Sequence, residues 1–444
     1  MNVTVKHLAA GVVLTVLAFV APARAMDIQV VPVQGVGQVW LVENHSLPII
    51  AVDLAFKGAG AAQDPDGKVG LATFVSGMLD EGAGDLDSQA FQKRLSDLSI
   101  SLSFSVGQDD FAGSMKTLTE NREEAFRLLG LSINAPRFDA ADIDRVRDQL
   151  IAAINESEQR PATVASREWA ARAYPGHAYG RPVGGRLQTI PAITRADLAA
   201  FADAKFARGN LIIVVVGDID AAEVSKLVAG AFAPLPEKPN LIPVPDMVAV
   251  PPAGILVIDR PIPQSNIVFG LPGIKRDDPE WFPASVMNYV LGGGGFASRL
   301  MDEVREKRGL AYSVRTGLSP QDHSGLLLGS VGTRNDSAKD SIDIIRRETA
   351  KMHDSGITAA ELDGAKKYLT GSYPLAFDTS PNIAAQLLAI RLEGFATDYV
   401  EKRNGYIEAV TLEQTNASAK RLLDAEAISW LVVGRPTGIS STVK

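Results

Sequence analysis

Residues 291–314 read LGGGGFASRLMDEVREKRGLAYSV and carry the most specific pattern in the chain. Four glycines lead into a charged segment in which Phe296, Leu300 and Val304 recur every four residues, a spacing that predicts a short helix. Gly309 follows the charged segment and is the kind of residue that ends a helix. We therefore expect a short charged helix that ends at Gly309 and gives way to a strand.

The charges of this segment are also regularly spaced. Arg299, Glu303 and Lys307 stand four residues apart, so opposite charges would pair along one face of the expected helix. Arg305 and Tyr312 stand seven residues apart across the turn into the strand. The arrangement can aim a cation and a phenol at one point. On the residues alone, the simpler interpretation is that Arg305 is a solvated helix charge and Tyr312 a core residue of the strand, since Leu310, Tyr312 and Val314 alternate onto one strand face.

The first 25 residues have the pattern of a secretory signal peptide. One lysine precedes an apolar run at 8–21, and the small-x-small sequence Ala23-Arg24-Ala25 follows. About 14 apolar residues is fewer than the roughly 20 that a membrane-spanning helix needs. We expect cleavage after Ala25 and a periplasmic mature chain without a membrane span.

Composition excludes several classes of function. Removal of residues 1–25 takes away Lys6 and Arg24 and no acidic residue, which leaves 42 basic against 52 acidic residues. An acidic chain is a poor partner for nucleic acid or for an anionic membrane surface. The chain has no cysteine, so disulfides, thiolate nucleophiles and cysteine metal sites are excluded.

A proline-rich stretch divides the mature chain into halves of similar length. Proline can neither continue a helix nor pair centrally in a sheet, so the stretch predicts an extended linker. The prolines are Pro234, Pro236, Pro239, Pro243, Pro245, Pro251 and Pro252. We predict an N-terminal domain at 26–233, a linker at 234–253 and a C-terminal domain at 254–444.

The two halves repeat one another in pattern. In the first half, strand-like runs at 38–42, 49–56, 100–106, 109–116 and 211–218 alternate with helical runs at 68–79, 120–134 and 141–158. The second half answers with strand-like runs at 255–259, 266–271, 311–317, 324–333 and 428–435 and helical runs at 279–291, 337–353 and 359–374. This order predicts an α+β fold of two repeated domains, each an antiparallel or mixed sheet flanked by helices.

The helical run at 70–79 reads GLATFVSGML and resembles a motif of the pitrilysin/insulinase family of zinc metallopeptidases. Members carry H-x-x-E-H in a context such as G-L-A-H-F-L-E-H-M-L. The apolar frame matches, but the metal-ligand positions hold Thr73 and Gly77, and the general-base position holds Ser76. The family's third ligand, a glutamate, corresponds to about Ala153, with Glu156 and Glu158 nearby.

Zinc is not expected in this chain. A catalytic zinc needs three nitrogen, sulfur or carboxylate ligands and an open position for water, which a threonine hydroxyl and a glycine do not supply. The histidines show no metal-ligand spacing, and we expect His45 and His177 in solvated loops.

Residues 291–314 resemble a second motif of the same family, in which a glycine-rich entry is followed by S-R-L, R-E-K-R and G-L-A-Y. The resemblance implies a two-domain clam shell and gives Arg305 and Tyr312 the role of holding substrate and the oxyanion of the tetrahedral intermediate. The glycine run and the residue after it are assigned to substrate binding: Gly292, Gly293, Gly294, Gly295 and Phe296. A phosphate cradle is disfavoured because the run lacks the G-K-[ST] ending.

The resemblance implies that the chain is the non-zinc subunit of an exported heteromeric peptidase. It would be inactive alone, and Arg305 and Tyr312 would complete the site of a homologous H-x-x-E-H subunit that holds the zinc and cleaves a peptide. An alternative is a catalytically dead peptide-binding or scaffold homologue. A self-sufficient hydrolase that uses Ser76 is a third possibility, but no histidine lies at a recognisable spacing from it.

Overall fold

A computed structural model describes residues 26–443. The first half holds strands β1 (Gln29–Val33), β2 (Gly37–Glu43), β3 (Ile49–Phe56), β4 (Ser101–Val106), β5 (Phe111–Leu118) and β6 (Leu211–Gly217). Its helices are α1 (Leu71–Ser76), α2 (Ser88–Asp97), α3 (Arg122–Asn134), α4 (Ala140–Gln159), α5 (Pro161–Ala173), α6 (Arg195–Lys205) and α7 (Ala221–Phe232). The expected signal peptide lies outside the described residues.

The second half holds strands β7 (Gly254–Asp259), β8 (Gln264–Pro272), β9 (Ala311–Gln321), β10 (Ser324–Arg334) and β11 (Ser429–Gly434). Its helices are α8 (Trp281–Asn288), α9 (Ala338–Ser355), α10 (Ala359–Gly371), α11 (Ser380–Leu392), α12 (Tyr399–Ala409) and α13 (Leu412–Leu422). Within residues 26–443 we find no helix with the length and apolar character that a membrane crossing needs.

The strands form two sheets with the same topology. The first has the order β1-β2-β6-β3-β5-β4 and the second β7-β11-β8-β10-β9. From β2 onward the two orders correspond strand by strand, and the parallel pairs β2–β6 and β7–β11 occupy equivalent places. The predicted α+β fold with two sheets flanked by helices is confirmed, and the internal repeat is visible in the strand order.

One face of each sheet packs against helices of its own half. In the first half, Leu54 and Phe56 of β3 lie in one buried cluster with Phe74 of α1, Phe126 of α3 and Phe232 of α7. Fully burying a side chain of this size contributes about 1.5–3 kcal/mol. Every residue of β3 from 50 to 56 is buried, so this strand is covered on both faces, with its larger apolar side chains on the face of this cluster.

The other face of each sheet is covered by a helix from the opposite half. Helix α11 of the second half places Ala384 and Leu387 against Trp40, Ala55 and Val214 of the first sheet. Helix α5 of the first half packs in the same way on β8 and β11 of the second sheet. The two halves are therefore interlocked by an exchange of helices.

The proline-rich stretch contains no helix or strand between residues 238 and 252, and it is tied to both halves. The backbone N–H of Met247 donates to the carbonyl of His323 at 2.9 Å, and that of Val250 donates to the carbonyl of Ala173 at 2.9 Å. The domain boundaries at 233/234 and 253/254 stay a prediction. Contacts between helices and sheets cross these boundaries, because α5 packs on the sheet of the second half and α11 on the sheet of the first.

The prediction of one regular helix within residues 291–308 is wrong. The chain instead forms a π-helical turn at Tyr289–Gly293, a 3-10 turn at Gly295–Ala297 and a second π-helical turn at Met301–Glu306. Phe296 does not join an apolar helix face and is 65% exposed. The four-residue spacing therefore holds for Leu300 and Val304, which are buried. It fails for Phe296 because the helix is interrupted between Phe296 and Leu300.

Candidate functional site

Arg305 and Tyr312 lie side by side at the surface of the second half. The guanidinium carbon of Arg305 is 4.8 Å from the ring centroid of Tyr312 and 4.6 Å from that of Phe296, so the cation is held between two aromatic rings. Tyr312 is 82% exposed. A cation over the face of an aromatic ring is attracted to that ring by about 0.5–1 kcal/mol at exposed sites. The arrangement presents a positioned cation with its two rings to solvent.

Two backbone hydrogen bonds bring Arg305 and Tyr312 together. Gly309 has φ +62° and its N–H donates to the carbonyl of Arg305 at 2.8 Å. The N–H of Leu310 donates to the carbonyl of Val304 at 2.9 Å, after which β9 begins at Ala311. The tight exit at Gly309 needs a left-handed residue, which glycine supplies without strain. The sequence therefore predicts this turn correctly, although the preceding helix is irregular.

Of the two predicted ion pairs along Arg299, Glu303 and Lys307, only one is present. Lys307 Nζ pairs with Glu303 Oε1 at 2.6 Å, as expected. Arg299 does not pair with Glu303, because its Nε and one terminal nitrogen reach Glu361 of α10 at 2.6 and 2.8 Å. This pair holds the pKa of Glu361 down to about 2. Arg299 thus anchors the segment that follows the glycine run to α10.

The glycine run is packed against its own neighbours. A Cβ on Gly292 would stand 2.6 Å from Thr316 Oγ1, and one on Gly293 would stand 2.6 Å from Asn288 Nδ2. A Cβ on Gly292 would also stand 2.8 Å from the backbone nitrogen of Thr316, so packing requires glycine at this position, whereas at Gly293 the Asn288 side chain could move aside. Gly295 and Phe296 are exposed beyond them. The predicted substrate-binding role of Gly292, Gly293, Gly294, Gly295 and Phe296 stays a prediction.

The α1 helix carries the family's metal positions, and their side chains are committed to the protein. Thr73 Oγ1 donates to the carbonyl of Val183 at 2.7 Å, and Ser76 Oγ donates to the carbonyl of Thr73 at 2.8 Å. Gly77 ends the helix and has no side chain to offer. These residues do not fit a zinc ion, since a catalytic site needs three nitrogen, sulfur or carboxylate ligands. Neither Thr73 nor Gly77 could act as a general base that activates the Ser76 hydroxyl as a nucleophile.

The region of the family's third ligand offers no replacement. Ala153 lies on an exposed face of α4. Glu156 pairs with Arg160 at 3.0 Å, and Glu158 pairs with Arg167 at 3.3 Å. Within residues 26–443, no three histidine, aspartate or glutamate side chains are grouped so that they could hold a metal ion.

Asp64 binds the backbone at the start of α1, and the sequence analysis did not identify it. Its carboxylate accepts the N–H of Gly70 at 2.7 Å and the N–H of Ala72 at 2.9 Å, and the side chain is buried. Burial raises its pKa to about 6. The sequence signal is weak, because Asp64 stands six residues before Gly70 rather than at the capping position itself.

Strand β4 runs beside α1 and forms a free edge of the first sheet. Its sequence SLSFSV contains no charge and no proline, and its residues alternate between exposed serines and half-exposed apolar side chains. Natural sheets usually protect an edge with charges, proline or a covering segment. An uncharged free edge next to the family's active-site helix is a template for an extended chain.

The other three edges of the two sheets are protected. The carbonyl of Ile255 in β7 accepts the N–H of Thr442 at 2.8 Å, so the C-terminal segment covers that edge. Strand β1 contains Pro32 and strand β9 contains Pro320. The N–H of Val314 in β9 is further directed to the sulfur of Met301 at 3.4 Å. Strand β4 is thus the least protected edge in the described part of the chain.

A half-buried polar cluster joins the halves at the β9–β10 turn. Asp109 accepts hydrogen bonds from the hydroxyl of Tyr179 and, at 3.1 Å, from the N–H of Asp322. The Tyr179 oxygen accepts the N–H of His323 at 3.1 Å. Burial raises the pKa of Asp109. Sequence reasoning missed this cluster because its members are separated by up to 214 positions along the chain.

The prediction that His177 is a solvated loop residue is wrong. Its Nδ1 accepts the N–H of Tyr179 at 3.1 Å, its Nε2 lies 2.9 Å from the carbonyl of Pro245, and the residue is buried. The turn-like sequence around it forms as expected, but the linker closes over it. His45, by contrast, is exposed beside Glu43 and Asp218.

Comparison with known proteins gives a consistent result over both halves. Residues 38–186 match the family model described as Insulinase (Peptidase family M16), and residues 192–369 match the model described as Peptidase M16 inactive domain. The non-peptidase homolog YmxG of Helicobacter pylori is 26% identical over 394 residues, which are 88% of this chain and 90% of that protein. An uncharacterized zinc protease of Streptomyces coelicolor is 29% identical over 288 residues, 64% of this chain and 62% of that protein.

Solved structures agree with these sequence matches. The crystal structure of a peptidase M16 inactive domain from Pseudomonas fluorescens is 31% identical, covers 94% of this chain and 100% of that chain, and superposes with a TM-score of 0.87. A protease from Helicobacter pylori shares the fold with a TM-score of 0.83 at 18% identity, covering 92% of this chain and 100% of that chain.

Proposed function

Since the chain belongs to the peptidase M16 family and its α1 helix lacks the metal ligands, we propose that it binds extended peptides without cleaving them. The observation that carries this proposal is the free β4 edge beside α1. Extended peptides commonly add to an exposed sheet edge, where main-chain hydrogen bonds supply the affinity. The similarity to an M16 inactive domain and to a non-peptidase homolog supports a non-catalytic member better than a peptidase.

The test uses a fluorescent nonapeptide of alternating valine and serine and the same peptide N-methylated at every backbone nitrogen, so that neither edge of the extended chain can donate. Backbone N-methylation removes edge pairing and leaves the side chains unchanged. We expect fluorescence anisotropy to detect binding of the first peptide and not of the second. Equal binding of both would show that the backbone of the peptide is not read.

Variants locate the binding edge. The double variant Ser103→Lys, Ser105→Lys places charges on the exposed face of β4, as natural edges do, and should weaken binding. Ser355→Lys adds a charge to an exposed serine at the end of α9 and serves as the control. Binding that resists the β4 variant would place the peptide elsewhere. Peptide hydrolysis by the purified chain would refute a non-catalytic role.

The second candidate function is the non-zinc subunit of a heteromeric peptidase, and one observation favours it. Arg305 is pre-positioned between Phe296 and Tyr312, and both rings are exposed, so the group is available to a partner chain. A fixed guanidinium and a phenol aimed at developing negative charge are each worth about 10² to 10³ in rate. The zinc, the H-x-x-E-H partner and export to the periplasm are part of this proposal.

Reconstitution distinguishes the two functions. The chain is mixed with a homologue that bears H-x-x-E-H, ideally one encoded beside it, and peptide hydrolysis is measured with and without it. If it is the second subunit, the mixture should be active, and Arg305→Ala or Tyr312→Phe should reduce turnover while leaving the complex assembled. Variants as active as the parent complex would leave the binding or scaffold role.

A further inference from the structure

A pocket of about 310 Å³ lies in the first half, between the end of α3, one face of α6 and the start of the proline-rich stretch. Its floor is formed by Phe138, Phe206 and Leu235, all of which are buried. This volume is at the lower end of the range found for small-molecule sites, which are typically apolar with a few placed polar groups. The pocket belongs to neither α1 nor the Arg305 site.

Two opposite charges line the pocket from the same helix. Arg195 stands at the beginning of α6 and Asp203 eight residues later, near its end. At 1.5 Å rise per residue they are separated by about 12 Å along the helix axis. An extended peptide advances about 3.3–3.6 Å per residue, so the interval matches about three or four residues.

The acidic end is unpaired and poorly placed for stability. Within residues 26–443, the exposed Asp203 side chain makes no hydrogen bond or ion pair. A negative charge in the last turn of a helix opposes the helix dipole. The nearby Asn134 uses its amide nitrogen on the carbonyls of Gly130 and Ala231 at 2.6 and 2.8 Å, which leaves its oxygen to accept. This end of the pocket therefore suits a donor-rich cation.

The basic end is fixed in position. Arg195 donates from Nε to the carbonyl of Phe138 at 2.9 Å and from one terminal nitrogen to the carbonyl of Arg137 at 3.0 Å. In the described residues its other terminal nitrogen has no protein partner, so it is available to an anion. Phe138 is buried and has φ +49°, a strained conformation that persists only where its surroundings impose it. Arg195 thus holds a strained wall in place and keeps one donor free.

We propose that this pocket binds short peptides with free termini, three or four residues long. The peptide ammonium pairs with Asp203, its carboxylate accepts from the free nitrogen of Arg195, and its side chains lie on the apolar floor. The opposite charges at the two ends select a zwitterion over a ligand of single charge. The proposal does not depend on peptide binding at β4.

Calorimetric titration with Ala-Leu-Ala tests the site, with the N-acetylated and the C-amidated forms as separate arms. We expect saturable binding of the free tripeptide and about tenfold weaker binding of each blocked form, since each loses one charged hydrogen bond. Absence of binding by the free tripeptide, or equal binding of the blocked forms, would overturn the proposal.

Two variants tie the binding to this pocket. Asp203→Asn should weaken the free tripeptide about tenfold and leave the affinity of the N-acetylated form unchanged. Asp340→Asn, an exposed carboxylate in the first turn of α9, is the control. Ala199→Phe fills the pocket from α6 and should abolish binding, with a thermal melt to verify folding. A folded Ala199→Phe or Asp203→Asn variant that binds as the parent does would place the peptide elsewhere.

Discussion

Arg299 and Glu361 show how much one pair of side chains decides around the Arg305 site. The pair is bidentate and mostly shielded from solvent, and it ties the segment before Arg305 to α10. Glu361 also belongs to the capping box of α10, in which it accepts the N–H of Thr358 at 2.7 Å. The charge of one carboxylate therefore serves both a helix end and the positioning of the site.

We expect Glu361→Gln to lower the free energy of unfolding by about 1–3 kcal/mol at neutral pH, because a charge-assisted pair is lost. Glutamine can still close the capping box, so the change isolates the charge. The pKa of Glu361 is lowered to about 2 from 4.5, so its contribution is present above pH 4.5 and is lost as the pH falls toward 2. Urea denaturation at several pH values measures this.

The control for that measurement is Asp363→Asn on the same helix. Asp363 pairs with Lys367 at 2.7 Å, but both side chains are largely exposed, so little change is expected. If the two variants had equal effects, the anchoring role of Arg299 and Glu361 would be wrong.

Asp64 gives the opposite pH dependence. Its pKa is raised from 3.8 to about 6 by burial, so the folded chain holds this proton more tightly than the unfolded chain. The associated stability is present below pH 3.8 and is lost as the pH rises through 6. We expect Asp64→Asn to flatten the fall in unfolding free energy between about pH 4 and pH 6. An unchanged slope in urea titrations would contradict this assignment.

At the scale of elements, the sequence predicts what depends on local pattern. The strands at β3, β5, β6, β8, β10 and β11, and helices such as α3 and α9, lie where the runs of apolar residues indicate. The turn at Gly309 was likewise predictable from one glycine. The π-helical turns around Arg305 were not, because they depend on tertiary contacts such as those of Gly292 with Thr316 and Arg299 with Glu361.

The same limit applies to α5 and α11. Neither helix is among the predicted helical runs, and their position on the sheet of the opposite half cannot be derived from sequence, since no local pattern distinguishes a helix that packs on its own half from one that packs on the other. The free edge at β4 and the burial of His177 also follow from topology, which the pattern of one chain does not contain.

Trp169 is the best place to test the role of α5. Its ring is buried on the second sheet and its Nε1 donates to the carbonyl of Ser429 at 3.2 Å. We expect Trp169→Ala to cost about 3–5 kcal/mol, because it leaves a cavity between a first-half helix and a second-half sheet. Because Trp169 lies in the first half, a loss of amide protection against hydrogen exchange in the second half would show that the two halves are coupled. Protection lost only around α5 would contradict it.

For the whole molecule, the helix exchange makes the two halves one folding unit. Each sheet has one face on which a helix of the other half packs, α11 on the first sheet and α5 on the second. Covalent continuity at the linker is less important than this packing, since the halves would stay joined without it.

We expect a chain cut once within residues 246–250 to remain a single particle in size-exclusion chromatography and to unfold in one transition. Residues 26–237 and 254–444 expressed separately should be poorly folded, and should recover native circular dichroism when co-expressed. Independent folding of either half would contradict the interlocked description. The matched control is the uncut chain carried through the same treatment.

The exchange of helices also sets an order of events during synthesis on the ribosome. The first sheet is complete once β6 has emerged at Gly217, but α11, which covers its open face, ends at Leu392, roughly 175 residues later. At about 5–20 residues per second this delay is about 9–35 s. Throughout it, the apolar face around Trp40 and Val214 has no cover of its own, which makes the nascent chain a natural client for a chaperone.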